Sequence, residues 1–495
     1  MNKAETMKIV WVTSESTPYA KTGGLADVSA ALPEALAARG HQMSVIMPYY
    51  TQQTGRLNLK FDGYHTMLGV PFGPETLWAQ IRIMKVSENL TYYFIEFNRF
   101  FDRAALYDWN GSEYADNAKR FIFFSRAAMQ AILALGLEPD ILHLNDWHAA
   151  LCSIYLKSPL YSGFPAFRNT RSVMTIHNIG YQGVFDKGEL YWTGLGWEYF
   201  NYMCLEFHDR LNFLKGGIMC ADIVSTVSRT YAEEILSPQY GFSLDSALRH
   251  CAYRGRLRGI ANGINMEEWN PETDRLIPAR FSAKNLKGKA ACKAALQKRF
   301  GLPERPEVPL FGVLSRLAYQ KGLDVFASCL EDMLYHDDFQ FVLIGSGDPC
   351  LQSHFRYLAA RYPHRFGVFI GYAKDPDSHL LEAGSDIFIM PSRYEPCGLN
   401  QMYSMRYGTL PLVRHTGGLA DTVQNYSPEA PGKSTGFVFN DLYTESLRNT
   451  IRWSADVFRN APSDILAMRK NAMRTDFSWN HTASLYEALY HDAHQ

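Results

Sequence analysis

The sequence predicts an α/β protein made of two doubly wound, Rossmann-like domains. Three observations carry that prediction. Short apolar runs alternate with helix-like stretches along the whole 495-residue chain. Most of these runs are apolar on both faces, as parallel strands between two helix layers are. A turn-rich stretch, Arg258-Gly-Ile-Ala-Asn-Gly-Ile-Asn265 followed by Asn270-Pro271, divides the chain near its middle and reads as a linker. At ~150 residues per domain the length gives roughly three domains, and two large ones fit equally well.

In the first half the strand candidates are Ile9–Val12, Ser44–Met47, Tyr92–Phe97, Ile141–Leu144, Val173–Ile176 and Ile223–Val227. In the second half they are Leu310–Leu314, Phe341–Ile344, Val368–Ile370, Ile387–Met390, Leu410–Val413 and Phe437–Phe439. Near the C-terminus Trp479, Ala483, Tyr486 and Tyr490 recur at helical spacing, which predicts an amphipathic helix packing back on the first domain. The expected division is residues 1–257, residues 258–475 and a returning helix over 476–495. One internal echo stands out: Thr22-Gly-Gly-Leu-Ala-Asp27 recurs as Thr416-Gly-Gly-Leu-Ala-Asp421. Both copies open a helical run. They read either as glycine turns offering backbone N–H groups to an anion or as tight strand-to-helix turns.

Composition narrows the function. With 47% hydrophobic and 20% charged residues the chain is ordinary globular protein rather than a disordered one. Lys plus Arg number 49 and Asp plus Glu 50, a net charge of −1 that argues against nucleic-acid or membrane-surface partners. The eight cysteines form no C-x-x-C pair and do not cluster with histidine, so a reducing, cytoplasmic setting and no metal site are expected. No run approaches the ~20 apolar residues of a membrane span. Ile9–Val12, followed closely by Glu15, is too short for a signal peptide.

Generic nucleotide motifs fail. Gly432-Lys433-Ser434 imitates the end of a P-loop, but position 427 is Ser and no strand precedes it. Gly345-Ser-Gly347 follows a strand, but Cys350 stands where a dinucleotide fingerprint needs a third small residue. The informative residues lie after strands, where open α/β sheets bind ligands. Arg316 and Lys321 either clamp a diphosphate or form a solvated loop pair. Glu395 either anchors sugar hydroxyls or caps the next helix, and Asp146 has the same two readings. His177 is either a hydroxyl partner or a satisfied core histidine. Cys397 is a packed thiol or a ligand contact, and Tyr372 stacks on a base or packs in the core.

Taken in order, these segments resemble the bacterial glycogen synthases and plant starch synthases, from Lys8 to Tyr490. The resemblance rests on Lys21-Thr-Gly-Gly-Leu-Ala-Asp-Val28, His177-Asn-Ile-Gly-Tyr-Gln-Gly183, the Ser315–Leu323 segment, Tyr394-Glu-Pro-Cys-Gly-Leu399 and the Tyr407–Asp421 segment. It implies the GT-B fold, with two Rossmann-like domains facing across a cleft that closes about a hinge. It implies a retaining transfer of glucose from ADP-glucose to the nonreducing 4-hydroxyl of an α-1,4-glucan such as glycogen, with no cofactor. UDP-glucose is the alternative donor. A sucrose- or trehalose-type synthase and a non-catalytic glucan binder are the alternative functions.

The resemblance also implies residue roles. Lys21, Gly23 and Gly24 would meet the donor's distal phosphate and sugar. Arg316 and Lys321 would neutralise the departing diphosphate. Glu395 would hold the transferring glucose, with His177 and Asp146 contacting it from the first domain. The backbone around Cys397, Gly398 and Leu399 would approach glucose and phosphate. Asn262 would lie near the nucleotide and Tyr372 near adenine.

Overall fold

The computed structural model describes residues 6–109 and 111–494, with Thr66 described by its backbone alone. Positions 1–5, 110 and 495, which include the outer ends of the first and last predicted segments, lie outside the described residues. By chain contacts the protein divides into two compact units. One takes the chain up to Val227, Ala232–Asn262 and the segment from Trp479 onward; the other takes Ser228–Tyr231 and Gly263–Ser478.

The first unit is organised by a nine-stranded sheet. Its strands are β1 (Lys8–Val12), β2 (Gln42–Pro48), β3 (Gly63–Phe72), β4 (Glu75–Ser87), β5 (Leu90–Glu96), β6 (Ile141–Asn145), β7 (Arg171–Ile176), β8 (Ile223–Thr226) and β9 (Leu257–Gly259). The order is β9-β8-β7-β6-β1-β2-β5-β4-β3. From β9 to β5 every pairing is parallel. Strands β6 and β8 are buried at every residue, as the two-sided apolar runs predict. The antiparallel edge β3–β4 was not foreseen. Strand β4 has exposed and half-buried residues along its length, so it carries no two-faced apolar run. Strand β9 overlaps the start of the stretch read as linker, yet it pairs with β8.

Helix Trp479–His494 belongs to this unit. Ala483, Tyr486 and Tyr490 are fully buried. The Tyr490 hydroxyl lies 2.8 Å from His143 Nδ1 on β6, whose ring lies against Trp11 of β1. Arg39 forks onto Glu487 at 2.7 and 2.6 Å, a two-bond geometry that fixes the helix's register on the unit.

The second unit has a six-stranded, all-parallel sheet of β10 (Leu310–Leu317), β11 (Gln340–Gly347), β12 (Phe366–Ile370), β13 (Ile387–Met390), β14 (Leu410–Arg414) and β15 (Phe437–Phe439). Its order is β12-β11-β10-β13-β14-β15. Helices Leu323–His336, Pro349–Arg361 and Thr444–Asn460 bury Phe326, Phe355 and Ile451 against one face, in a core with Phe311, Phe341 and Leu412. Strand β10 runs further than its apolar run and carries Ser315 and Arg316, so those two residues sit on the strand's end rather than in the loop after it.

Candidate active site

In the second unit the candidate residues gather at the C-terminal ends of β10 and β13. Leaving β10, the chain makes a single 3-10 turn, Tyr319–Lys321. Leaving β13, it passes through Pro391–Leu399 into helix Asn400–Arg406. The two loops meet at an ion pair: Lys321 Nζ donates to Glu395 Oε2 at 2.6 Å, with the Lys321 side chain 19% exposed and that of Glu395 6% exposed. Ser392 Oγ donates to the same oxygen at 3.0 Å. Arg316 is exposed on the rim, its Nη2 3.5 Å from Gln320 Oε1. Lys321 and the Glu395 carboxylate are therefore held together at the C-terminal ends of two neighbouring central strands, with Arg316 on the end of one of them.

The turn Cys397–Leu399 is fixed from below. Gln401 Nε2 donates to Cys397 O at 3.1 Å and to Gly398 O at 2.9 Å, and Asn400 Nδ2 donates to Leu314 O on β10 at 2.9 Å. Gly398 has φ +72°, a left-handed value that a side chain opposes. Cys397 is buried. Tyr372, just past β12, is 86% exposed, so core packing is not its role.

In the first unit, Lys21 to Gly24 are all exposed on the turn before helix Gly24–Ala38. Here the structure differs from the idea of open backbone donors. The buried carboxylate of Glu15 already accepts from Thr22 N at 2.6 Å, Thr22 Oγ1 at 2.7 Å and Gly23 N at 3.2 Å. Tyr107 OH donates to Glu15 Oε1 as well, at 2.7 Å. The turn's own acid occupies the position expected for an anion, so the Gly23 amide is not open to a phosphate in this state. Lys21 Nζ rests on Asp27 Oδ1 at 2.6 Å.

Asp146 follows β6 with φ +53°. Its Oδ1 accepts from His177 N, which follows β7, at 2.7 Å. Burial pushes its carboxyl up to about 7, against the pull of the His177 and Asn178 amides. Asn145 Nδ2 donates to Val12 O at 3.1 Å, which turns Asn145 Oδ1 toward His177 Nε2, 2.9 Å away. The imidazole therefore carries its proton on Nε2. Burial lowers its basicity to about 3, so the ring is neutral at physiological pH. Asn262 is buried, and among the described residues its Oδ1 has no hydrogen-bond partner, which leaves an acceptor unused.

Sequence reasoning missed Glu15, Asn145 and Ser392. Each acts on another site residue, and none has a residue type that separates it from an ordinary strand end or loop. Among the described residues, no group of three or more His, Cys, Asp or Glu is arranged to hold a metal ion. Among the described residues, no helix is long and apolar enough to cross a membrane.

Comparison with known proteins follows this geometry. The family described as starch synthase catalytic domain matches residues 8–250, and that described as glycosyl transferases group 1 matches residues 295–455. Together with the two sheets, one all-parallel and one parallel up to its antiparallel edge, these matches define a GT-B glycosyltransferase. A glycogen synthase of Anaeromyxobacter is 47% identical, the match covering 98% of this chain and 99% of the relative. That of Myxococcus xanthus is 45% identical over 98% and 99%. The chain belongs to the family of bacterial glycogen synthases and plant starch synthases. A solved catalytic domain of starch synthase IV from Arabidopsis thaliana, bound to ADP and acarbose, is 32% identical with a TM-score of 0.86, covering 99% of this chain and 100% of that one. A sucrose-phosphate synthase from Thermosynechococcus elongatus shares the fold, with a TM-score of 0.60 at 18% identity over 98% of each chain.

Proposed function

We propose that this protein transfers glucose from ADP-glucose to the nonreducing 4-hydroxyl of an α-1,4-glucan, with retention of the α configuration, in glycogen synthesis. The observation that carries the reading is the Lys321–Glu395 pair at the strand ends, in a chain that matches a glycogen synthase over 98% of its length. The plant relative that holds ADP supports adenine over uracil in the donor.

The transition state is oxocarbenium-like, and negative charge builds on the departing diphosphate. Arg316 and Lys321 neutralise that charge, with Lys21 acting at the distal phosphate once it leaves Asp27. Glu395 holds glucose hydroxyls. His177, being neutral, serves the sugar as a hydrogen-bonding group and not as a cation. A covalent route needs a free ionised carboxylate as nucleophile. Asp146 is tied to the His177 amide and titrates only near 7, and Glu395 is engaged by Lys321 and Ser392. That supports attack on the same face, assisted by the leaving phosphate. The cations supply the neutralisation that a divalent metal gives other transferases, so a chelator should leave the rate unchanged. A cytoplasmic site of action fits the eight cysteines, all present as free thiols.

Each lost charge contact should remove about 3–4 kcal/mol of transition-state stabilisation. Glu395→Gln and Lys321→Ala should therefore both slow ADP release from ADP-glucose by that factor. Unchanged ADP release in both variants would overturn the roles given to Lys321 and Glu395, and no ADP release by the wild type would leave the protein a glucan binder instead.

A further inference from the structure

The loops that carry Lys321 and Glu395 are fastened together by a residue that neither the motif nor the donor chemistry singles out. Arg393 lies two positions before Glu395, on the β13 loop. Its Nη1 and Nη2 fork onto Asp324 Oδ1 and Oδ2, both at 2.6 Å, at the start of the helix that follows Lys321. The same Nη1 donates to Tyr319 O at 2.7 Å, and the guanidinium lies 3.7 Å from the centre of the Tyr319 ring. Arg393 N donates to Gln320 O at 2.8 Å, and Gln320 Nε2 donates to Tyr394 O at 3.3 Å. Gly322 runs so close to the β13 loop that a Cβ there would fall 1.9 Å from Pro391 O. The 3-10 turn carrying Lys321 is thus bound to the Glu395 loop along its length, and Arg393 makes most of the side-chain links.

We propose that Arg393, with Asp324 and Tyr319, is the positioning clip that sets the Lys321–Glu395 distance for glucose transfer. This rests on the function proposed above. Arg393 reaches both the carboxylate and the ring because a guanidinium is planar and forked; a lysine ammonium offers a point charge and cannot do both. The Asp324 side chain is 45% exposed, so the pair itself adds little to stability. Its consequence lies in geometry, where small displacements of charged groups cost rate.

The test compares steady-state transfer from ADP-glucose to glycogen in the wild type, Arg393→Lys, Arg393→Ala, Asp324→Asn, Lys321→Ala and the double variant Arg393→Ala/Lys321→Ala. ADP-binding stoichiometry reports the folded fraction of each. Arg393→Ala should lower kcat at least about tenfold with KM for ADP-glucose little changed, because Arg393 acts through its neighbours and not on the donor. Lysine should not rescue it, and Asp324→Asn should give a smaller loss in the same direction. In the Lys321→Ala background the Arg393 change should cost less than about twofold, since its target is already gone. A kcat within about twofold of wild type in Arg393→Ala, or losses that multiply in the double variant, overturns the clip while leaving the function intact. No transfer by the wild type overturns the function and the clip with it.

Discussion

The two copies of Thr-Gly-Gly-Leu-Ala-Asp share six residues and the same turn into a helix, yet the two units use them in opposite ways. At Thr22–Asp27 the turn lies at the surface, although Glu15 takes its Thr22 and Gly23 amides. Its first four positions from Lys21 are exposed, and a Cβ on Gly23 or Gly24 would meet nothing within 4 Å. At Thr416–Asp421 the turn is packed. A Cβ on Gly417 would lie 1.9 Å from Glu395 O, and one on Gly418 2.0 Å from Cys397 O. Gly418 N donates to Glu395 O at 3.0 Å, so this copy supports the backbone that carries the candidate acid. The terminal aspartates diverge likewise. Asp27 takes Lys21 and Thr17, whereas Asp421 takes the hydroxyls of Ser228 and Thr230 and the amide of Arg229. Identical local sequence specifies the turn; what surrounds it decides whether the turn stays at the surface or is packed beneath a loop.

The largest expected effect comes from filling the packed turn. Gly417→Ala forces a Cβ against the Glu395 carbonyl at a residue with φ +44°. It should cost about 3 kcal/mol of stability and abolish transfer. Gly24→Ala meets no atom and should leave the melting temperature unchanged. Equal melting temperatures for both variants would erase the distinction between the copies. Next in size is Lys21→Ala on the surface turn. It should lower kcat/KM by about a hundredfold or more without destabilising the fold, since its pairing with Asp27 is exposed.

Smaller still is the contrast between the aspartates. Asp421→Asn should lose about 1–3 kcal/mol, because several donors converge on one carboxylate. Asp27→Asn should lose under about 1 kcal/mol in urea unfolding, as exposed pairs do. Reversal of that order would show that the packed copy is not the structural one.

How much of this was legible in the sequence differs between fold and site. All twelve apolar runs became strands, because a strand buried on both faces must be apolar at every position. The β3–β4 edge escaped because one of its faces meets solvent, and β9 because it is three residues long. Lys321 and Glu395 stood out as candidates because they follow strands where open α/β sheets bind ligands, but residue type alone left a solvated loop pair and a helix cap open, and only the resemblance gave them roles. Arg393, Asp324 and Glu15 did not stand out. A surface arginine, a first-turn aspartate and a glutamate after a strand are common residue types, and only distance shows what they hold.

A pH experiment separates the units at lower amplitude. Burial keeps His143, His148 and His177 neutral in the first unit, each with its basicity below the ordinary value. For a base with a lowered folded value, the unfolded chain binds protons first as pH falls. Stability is therefore present in full above about 6.5 and is lost on going down, toward about 3 for His177. His177→Gln should flatten the fall between pH 6.5 and 5 by up to about 1.4 kcal/mol per pH unit. An unchanged slope would mean that the ring takes up its proton equally readily in the folded and unfolded chain, which contradicts the lowering by burial.

The most direct test of the account is a side-by-side donor assay on a glycogen primer, with ADP-glucose and UDP-glucose at equal concentration. The account predicts growth of the glucan by α-1,4-linked glucose, release of one ADP per glucose added, and a faster rate with ADP-glucose. Nucleotide release without polymer growth, or a small-molecule glucoside as the product, would contradict it.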